Sequence, residues 1–209
     1  MLSKSYISDL EKYYGKNVRK KIVYISNPSP FVTQKSEKKK QLLYVGRLEH
    51  GAKRPDRLLR IWKRLYKKFP NWEMIVVGDG KERKRLEQQS KSLKRISFIG
   101  FQAPEPYYRD ASILCMTSNF EGFPMVLPEA MSFGTVPFAF DSFSAVHDII
   151  EDGKTGVLVP PFSIKEYANK LAQLMSDEEK RNLMSENCLK DVTRFICLIL
   201  YKCLYYSNK

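Results

Sequence analysis

From residue 41 to the last third of the chain, short apolar runs alternate with amphipathic stretches, and this alternation limits the fold more than any other feature. Gln41–Val45, Trp72–Val77, Ile96–Ile99, Ser112–Met116, Thr135–Ala139 and Val157–Val159 read as strands. Between and after them, Pro55–Phe69, Lys81–Leu93, Pro106–Asp110, Pro124–Phe133, Ala145–Ile150 and two stretches at 163–175 and 177–200 read as helices. Strands that are apolar along their whole length belong in a parallel sheet covered on both faces. Strand–helix alternation with right-handed crossovers then gives an α/β, doubly wound parallel sheet of Rossmann-like form. Such sheets bind ligands beyond the carboxyl ends of their strands. The loops of interest are therefore those after Val45, Val77, Ile99 and Met116.

Charge is distributed unevenly. Residues 1–95 hold 26 Lys/Arg against 9 Asp/Glu, and the remainder holds 10 against 14, within a net charge of +13. Much of the excess lies on one expected helix, at Arg57, Arg60, Lys63, Arg64, Lys67 and Lys68. Apolar residues interleave with these at helical spacing, as in a solvated helix face. An anionic membrane surface is a second partner that this charge suits. Nucleic acid is not an expected partner, since no nucleic-acid motif and no basic–aromatic platform is present.

Four cysteines in no CxxC pair, with only His50 and His147 beside them, read as reduced thiols without a structural metal. Met1–Leu10 lacks the apolar run of a signal peptide. The apolar stretch Phe195–Tyr206, interrupted by Lys202, is too short for a hydrocarbon layer of about 30 Å. The chain reads as cytoplasmic, with a peripheral position at the inner face of a membrane as a variant of that reading.

The first 40 residues stand outside the alternation. A helix at Lys4–Tyr14 and an apolar run at Ile22–Ile25 lead into Asn27-Pro28-Ser29-Pro30 and the Lys35–Lys40 charge run, which read as an exposed linker.

Two segments carry the chemistry. In the first, Asn119-Phe120-Glu121-Gly122-Phe123-Pro124-Met125-Val126-Leu127-Pro128-Glu129 follows a buried strand and runs into a helix, with two glutamates eight residues apart. Gly122 permits close backbone approach, Pro124 suits a first helical turn, and the free N–H groups of that turn favour anions or hydroxyls. Carboxylates accept hydrogen bonds from the paired hydroxyls of sugars and riboses. In the second, Val45-Gly46-Arg47 ends a strand and Lys53 follows just before a helix. A diphosphate could be held there bidentately by Arg47 and by the point charge of Lys53. Two carboxylates facing two cations across one shared cavity is the expected arrangement.

Together these segments resemble the retaining GT-B glycosyltransferases that use nucleotide-diphospho-sugars, glycosyltransferase family 4. The resemblance rests on the E-x7-E pattern at Glu121 and Glu129 with its Glu-Gly-Phe-Pro core, on Gly46-Arg47-Leu48 with Lys53, and on the turn Val77-Gly78-Asp79-Gly80. Phe98-Ile99-Gly100-Phe101 and Glu151–Val159 agree with it as well. It spans roughly residues 22–190. The likeness implies that Arg47 and Lys53 hold the donor pyrophosphate and stabilise the departing nucleotide, and that Glu121 contacts the transferred sugar. It implies further that Gly46, Gly122, Phe123, Pro124, Met125 and Val126 line the sugar–phosphate pocket, that Glu129 accepts from ribose hydroxyls, and that Ile99, Gly100 and Phe101 border the base.

The donor would be a UDP-, GDP- or ADP-sugar, bound without a metal or other cofactor, and the acceptor a glycan or lipid-linked glycan of a surface polysaccharide. Such an enzyme is a hexosyltransferase with two Rossmann-like domains, and this chain resembles the second. Residues 1–40 are then expected to be the closing helix and linker of a first domain, 41–194 the donor-binding domain, and 195–209 an aberrant apolar tail, as in a truncated or frameshifted product or an excised domain. A module that binds nucleotide-sugar without transferring it is the alternative. His50 is expected at the surface, His147 in local packing, and Tyr107 and Tyr108 in or near the core.

Overall fold

The computed structural model describes residues 3–23 and 26–195. Six strands form one parallel sheet: β1 (Lys39–Val45), β2 (Glu73–Val77), β3 (Ile96–Gly100), β4 (Ala111–Met116), β5 (Val136–Phe140) and β6 (Val157–Val159). Their order across the sheet is β3-β2-β1-β4-β5-β6, so the winding reverses between β1 and β4. That is the doubly wound, Rossmann-like α/β arrangement that the alternation predicts.

The central strands have no polar face. In β1, Leu42 and Tyr44 point into one apolar core and Leu43 into the other. Ile113 and Cys115 of β4 do the same on one side, Leu114 and Met116 on the other. Strand side chains alternate between faces, so only continuous apolar sequence can fill two cores at once.

The first core is covered by α2 (Pro55–Leu65), α3 (Arg83–Ser90) and α7 (Ile164–Ser176). The second is covered by α4 (Glu105–Asp110), α5 (Val126–Ser132) and α6 (Val146–Ile149). The helix α8 (Glu178–Asp191) runs along the boundary, with Met184 in the first core and Cys188 in the second. Trp62 of α2 is fully buried, and its indole N–H is satisfied by the Lys94 carbonyl at 3.0 Å.

Several expectations are corrected. Arg57 does not belong to a solvated face: it is 6% exposed, donates to the Thr117 carbonyl at 3.0 Å, and lies 4.0 Å from the centroid of the Phe162 ring. The segment from Asn27 to Lys38 is largely exposed, as expected, but it is tied to the domain at a few points. Ser29 N–H donates to the Phe195 carbonyl, Gln34 N–H donates to the Ser132 carbonyl, and the Phe31 ring meets Phe133 edge-on at 5.2 Å. Lys38 reaches inward to the Tyr108 and Arg109 carbonyls at 2.9 and 3.0 Å.

Helix α5 begins at Val126, two residues after Pro124, so Pro124 precedes its first turn and supplies the carbonyl that Leu127 N–H bonds at 3.1 Å. The expected helix at 177–200 is regular only through Asp191 and tightens to a 3-10 turn over Val192–Phe195. The remaining tail, 196–209, and part of the run Ile22–Ile25 lie outside the described residues.

Candidate functional site at the winding reversal of the sheet

The loops after β1 and β4 leave the sheet on either side of its winding reversal, and they are stapled together. Asn119 N–H donates to the Ala52 carbonyl at 2.7 Å and its side-chain amide to the Gly51 carbonyl at 2.8 Å. Thr117 Oγ1 donates to the Arg54 carbonyl at 3.0 Å. The loop after β1 is also laced to the loop after β2, where Leu48 N–H donates to the Asp79 carbonyl at 2.8 Å and Glu82 N–H to the Leu48 carbonyl at 3.0 Å. This lacing explains Gly78: a Cβ there would sit 1.9 Å from the Gly46 carbonyl oxygen, at a φ of +137°.

The stapling delivers Lys53 onto Glu121. Lys53 Nζ lies 2.7 Å from Glu121 Oε1 and 2.9 Å from Oε2, and Ser118 Oγ donates to Oε1 at 2.7 Å. The two side chains are 21% and 11% exposed, so this is a sheltered pair whose attraction is largely offset by the desolvation of both charges. Tyr44, Val45 and Val126 line the small pocket beneath it. An ammonium has three donors, and Glu121 takes two, leaving one directed elsewhere.

Arg47 and Glu129 are not part of this pair. The Arg47 side chain is 75% exposed, with its guanidinium 3.4 Å from Glu49 Oε1. Glu129 accepts from the Tyr108 hydroxyl at 2.9 Å, and burial holds its carboxyl above the usual range although that hydrogen bond opposes the shift. The structure thus joins one expected cation to one expected carboxylate and leaves the other two on separate partners. Among the rest, Gly46 and Gly122 lie at the rim, Phe123 and Pro124 are buried, and Met125 and Val126 are half-buried. Ile99 is half-buried and Gly100 buried, while the Phe101 ring is 86% exposed at the end of β3. His50 is exposed, His147 pairs with Asp141 at 2.8 Å, and Tyr108 is fully buried.

Sequence reasoning missed Tyr6. It lies on α1 (Tyr6–Tyr14), and its hydroxyl reaches the Glu121 and Gly122 carbonyls at 2.7 and 2.6 Å. The helix is anchored by Asp148, which accepts from Ser5 N–H at 2.9 Å and from the Ser5 hydroxyl at 2.7 Å. Burial works against ionisation of Asp148, but these bonds and one from Ser3 hold its carboxyl below the usual range. No periodicity announces such a contact, which joins residues more than a hundred positions apart. Ser118 was also missed, though a hydroxyl three residues before Glu121 was a visible signal. Among the described residues no group of three or more His, Cys, Asp or Glu side chains is placed to hold a metal ion.

Comparison with known proteins agrees with this fold. The sequence pattern of the family described as glycosyl transferases group 1 matches residues 26–191. The amylovoran biosynthesis glycosyltransferase AmsD of Erwinia amylovora is 33% identical over 175 residues, which are 78% of this chain and 48% of that protein. A Campylobacter jejuni enzyme, an α-1,4-N-acetyl-D-galactosaminyltransferase named for a diNAcBac-PP-undecaprenol-linked glycan, is 30% identical over 88% of this chain and 53% of its own length. The crystal structure of the C-terminal domain of LpcC, a glycosyl transferase group 1 family protein of Francisella tularensis, superposes with a TM-score of 0.66 at 31% identity. That match covers 74% of this chain and 85% of LpcC's crystallised domain. The chain spans about half the length of the curated relatives it matches. Its parallel sheet, its winding and its sequence pattern place it in one family: the chain belongs to the glycosyl transferases group 1.

Proposed function

We propose that this chain is the donor-binding domain of a retaining GT-B hexosyltransferase of family 4, holding a UDP-, GDP- or ADP-sugar for transfer to a glycan or lipid-linked acceptor in surface polysaccharide synthesis. The observation that carries the reading is the Lys53–Glu121 pair, built across the winding reversal between β1 and β4. Open α/β sheets bind their ligands at such a reversal.

In this reading the free donor of Lys53 takes a diphosphate oxygen, and Arg47, exposed on its loop, exchanges Glu49 for the same group and chelates it bidentately. As the bond to the sugar breaks, negative charge grows on the diphosphate, and two fixed cations stabilise it at the moment it appears. These charges do the work a metal would do, and binding is proposed to need none. Glu121, held by Lys53 and Ser118, presents its remaining lone pairs to sugar hydroxyls. Glu129 exchanges the Tyr108 hydroxyl for ribose hydroxyls or accepts both. Gly46, Gly122, Phe123, Pro124, Met125 and Val126 shape the pocket wall, and Ile99, Gly100 and Phe101 flank the base.

The length relation to the relatives favours a second reading for this chain taken alone, as a module that binds donor without transferring it. The acceptor site is then supplied by another domain or chain. The proposed place of action is the cytoplasm, against the membrane that carries a lipid-linked acceptor.

A thermal-shift panel of UDP, GDP and ADP with their hexose conjugates tests the donor reading, alongside assays for donor hydrolysis and transfer. At a hundredfold excess over Kd a ligand stabilises by about 2.7 kcal/mol. In a domain of this size that raises Tm by roughly 5–10 °C. Stabilisation by one base series without turnover supports the binding module, turnover supports the transferase, and no shift with any of them refutes both.

A further inference from the structure

One flank of the sheet carries a dense run of exposed cations without ion-pair partners. Arg60, Lys63 and Arg64 on α2, with Lys67 and Lys68 on the turn that continues it, recur at helical spacing and are exposed. They form one stripe about two turns long. Arg60 and Lys63 also border the shallow groove between α2 and α3, together with Arg85. Beside them stand exposed Lys84 on α3, and Lys91 and Lys94 on the loop into β3. None of the five stripe cations has a carboxylate within ion-pair distance among the described residues.

The carboxylates of this flank are already engaged. Asp56 is held by Arg54, Glu82 by Arg85, Glu87 and Asp79 by Arg83, and Glu73 by Gln41. The stripe therefore projects a field that the protein does not neutralise. The neighbouring helices α7 and α8, with the junction between them, carry Lys165, Lys170, Lys180, Arg181 and Lys190 alongside Glu166, Asp177, Glu178, Glu179, Glu186 and Asp191. Their charge is nearly balanced, and the excess on this face belongs to α2 and α3.

We propose that the α2–α3 flank is an electrostatic docking surface for an anionic phospholipid bilayer. Lysine predominates there, and its compact ammonium suits a diffuse layer of headgroup charge, whereas arginine is the residue for discrete bidentate phosphates. Exposed Phe101 and Phe120 lie on the loops after β3 and β4, and Phe162 stacks on the buried Arg57 of α2 rather than on the stripe cations. Trp62 and Trp72 near the stripe are buried, so no aromatic platform is offered to nucleic-acid bases. Contact is thus made by charge alone, with no inserted side chain. The stripe runs down α2 away from Lys53, toward the edge of the sheet at which β2 begins, so a bilayer lying on it leaves the loops after β1 and β4 uncovered. The inference rests on surface charge and stands whether or not the donor reading holds.

The test is co-sedimentation of the full chain with vesicles of phosphatidylcholine alone and of phosphatidylcholine with about a third phosphatidylglycerol. Binding to the anionic vesicles only is expected. It should weaken more than tenfold as salt rises from about 50 to about 300 mM, where the Debye length falls below about 6 Å. Each cation removed costs about fivefold in partitioning. The triple reversal Lys63→Glu, Lys67→Glu and Lys68→Glu should therefore lose more than about a hundredfold. An equal reversal on the other side of the molecule, Lys16→Glu, Lys20→Glu and Lys21→Glu, should lose less than tenfold. Circular-dichroism melts establish that both variants fold. Binding equal on both vesicle types, equal losses in the two triple variants, or tighter binding of a single-stranded oligonucleotide than of anionic vesicles would overturn the proposal.

Discussion

Lys53 Nζ bridges both carboxylate oxygens of Glu121, at 2.7 and 2.9 Å, although 68 residues separate the two in sequence. The two loops are held together around the pair by Asn119 N–H on the Ala52 carbonyl and by the Thr117 hydroxyl on the Arg54 carbonyl. Sheltered pairs of this kind contribute little net stability, because the desolvation they suffer offsets much of the attraction they gain.

That balance yields the first prediction. Lys53→Met leaves Glu121 sheltered with only Ser118 as partner and should destabilise the fold by about 1–3 kcal/mol in urea titrations. Glu121→Leu should behave similarly. The double variant Lys53→Met/Glu121→Leu should be more stable than the sum of the two losses implies, with a coupling of about 1 kcal/mol or more. Strict additivity would show that the two side chains do not interact.

Glu129 predicts a conflict between stability and ligand binding. Its folded-state pKa is raised by burial, so between the ordinary carboxylate value and that raised value the native state binds more protons than the unfolded chain. Stability from this group is complete at low pH and is lost as pH rises through the folded pKa. Glu129→Gln should remove that part of the pH dependence and leave the unliganded fold at least as stable as the parent at pH 7. It should also weaken binding of a ribose-containing ligand by about tenfold, the worth of one charge-assisted bond. Melting temperatures across acid to neutral pH, with parallel nucleotide titrations, measure both effects.

Lys38 behaves in the opposite sense. Burial lowers its pKa to about 7, despite its bonds to the Tyr108 and Arg109 carbonyls. Above that value the unfolded chain binds the extra proton, so stability rises with pH from about 7 toward the ordinary lysine value of 10.5. Lys38→Met should flatten this rise. It should cost little at neutral pH, because Thr135 still serves the Tyr108 carbonyl and Ser36 the Arg109 carbonyl. Unfolding free energies at pH 7 and above check the slope.

Gly78→Ala should be severe. The added methyl would meet the Gly46 carbonyl at 1.9 Å in a backbone region closed to most side chains. Relieving it means parting the loops after β1 and β2, at a cost of about 3 kcal/mol or more. Loss of soluble protein or a large fall in Tm is expected, while Gly51→Ala, with nothing within 4 Å of its added carbon, should be silent.

The strands were legible because burial on both faces leaves no choice but continuous apolar sequence, and each observed strand falls within two residues of its reading. The start of α5 was misplaced since Pro124 is compatible both with a first helical turn and with the turn before it. The segment from Asn27 to Lys38 is exposed as it read, but its anchors, such as Ser29 N–H on the Phe195 carbonyl, are backbone groups that composition does not report. Arg57 was grouped with the stripe by spacing alone, and only the aromatic rings of Phe140 and Phe162 reveal why it is buried. At the site, Lys53 and Glu121 were legible as types at a sheet edge. Their direct pairing depends on which two loops are neighbours, and that is a property of the winding.

The central claim, that the Lys53–Glu121 site receives a nucleotide diphosphate, is met most directly by isothermal titration of UDP, GDP and ADP into the full chain and into Arg47→Ala and Lys53→Met. The account predicts one saturable site for at least one of the three, weakened about tenfold or more in each variant, with Arg47→Ala leaving Tm unchanged because that side chain is largely in solvent. Saturable binding that both variants retain at full affinity would contradict it.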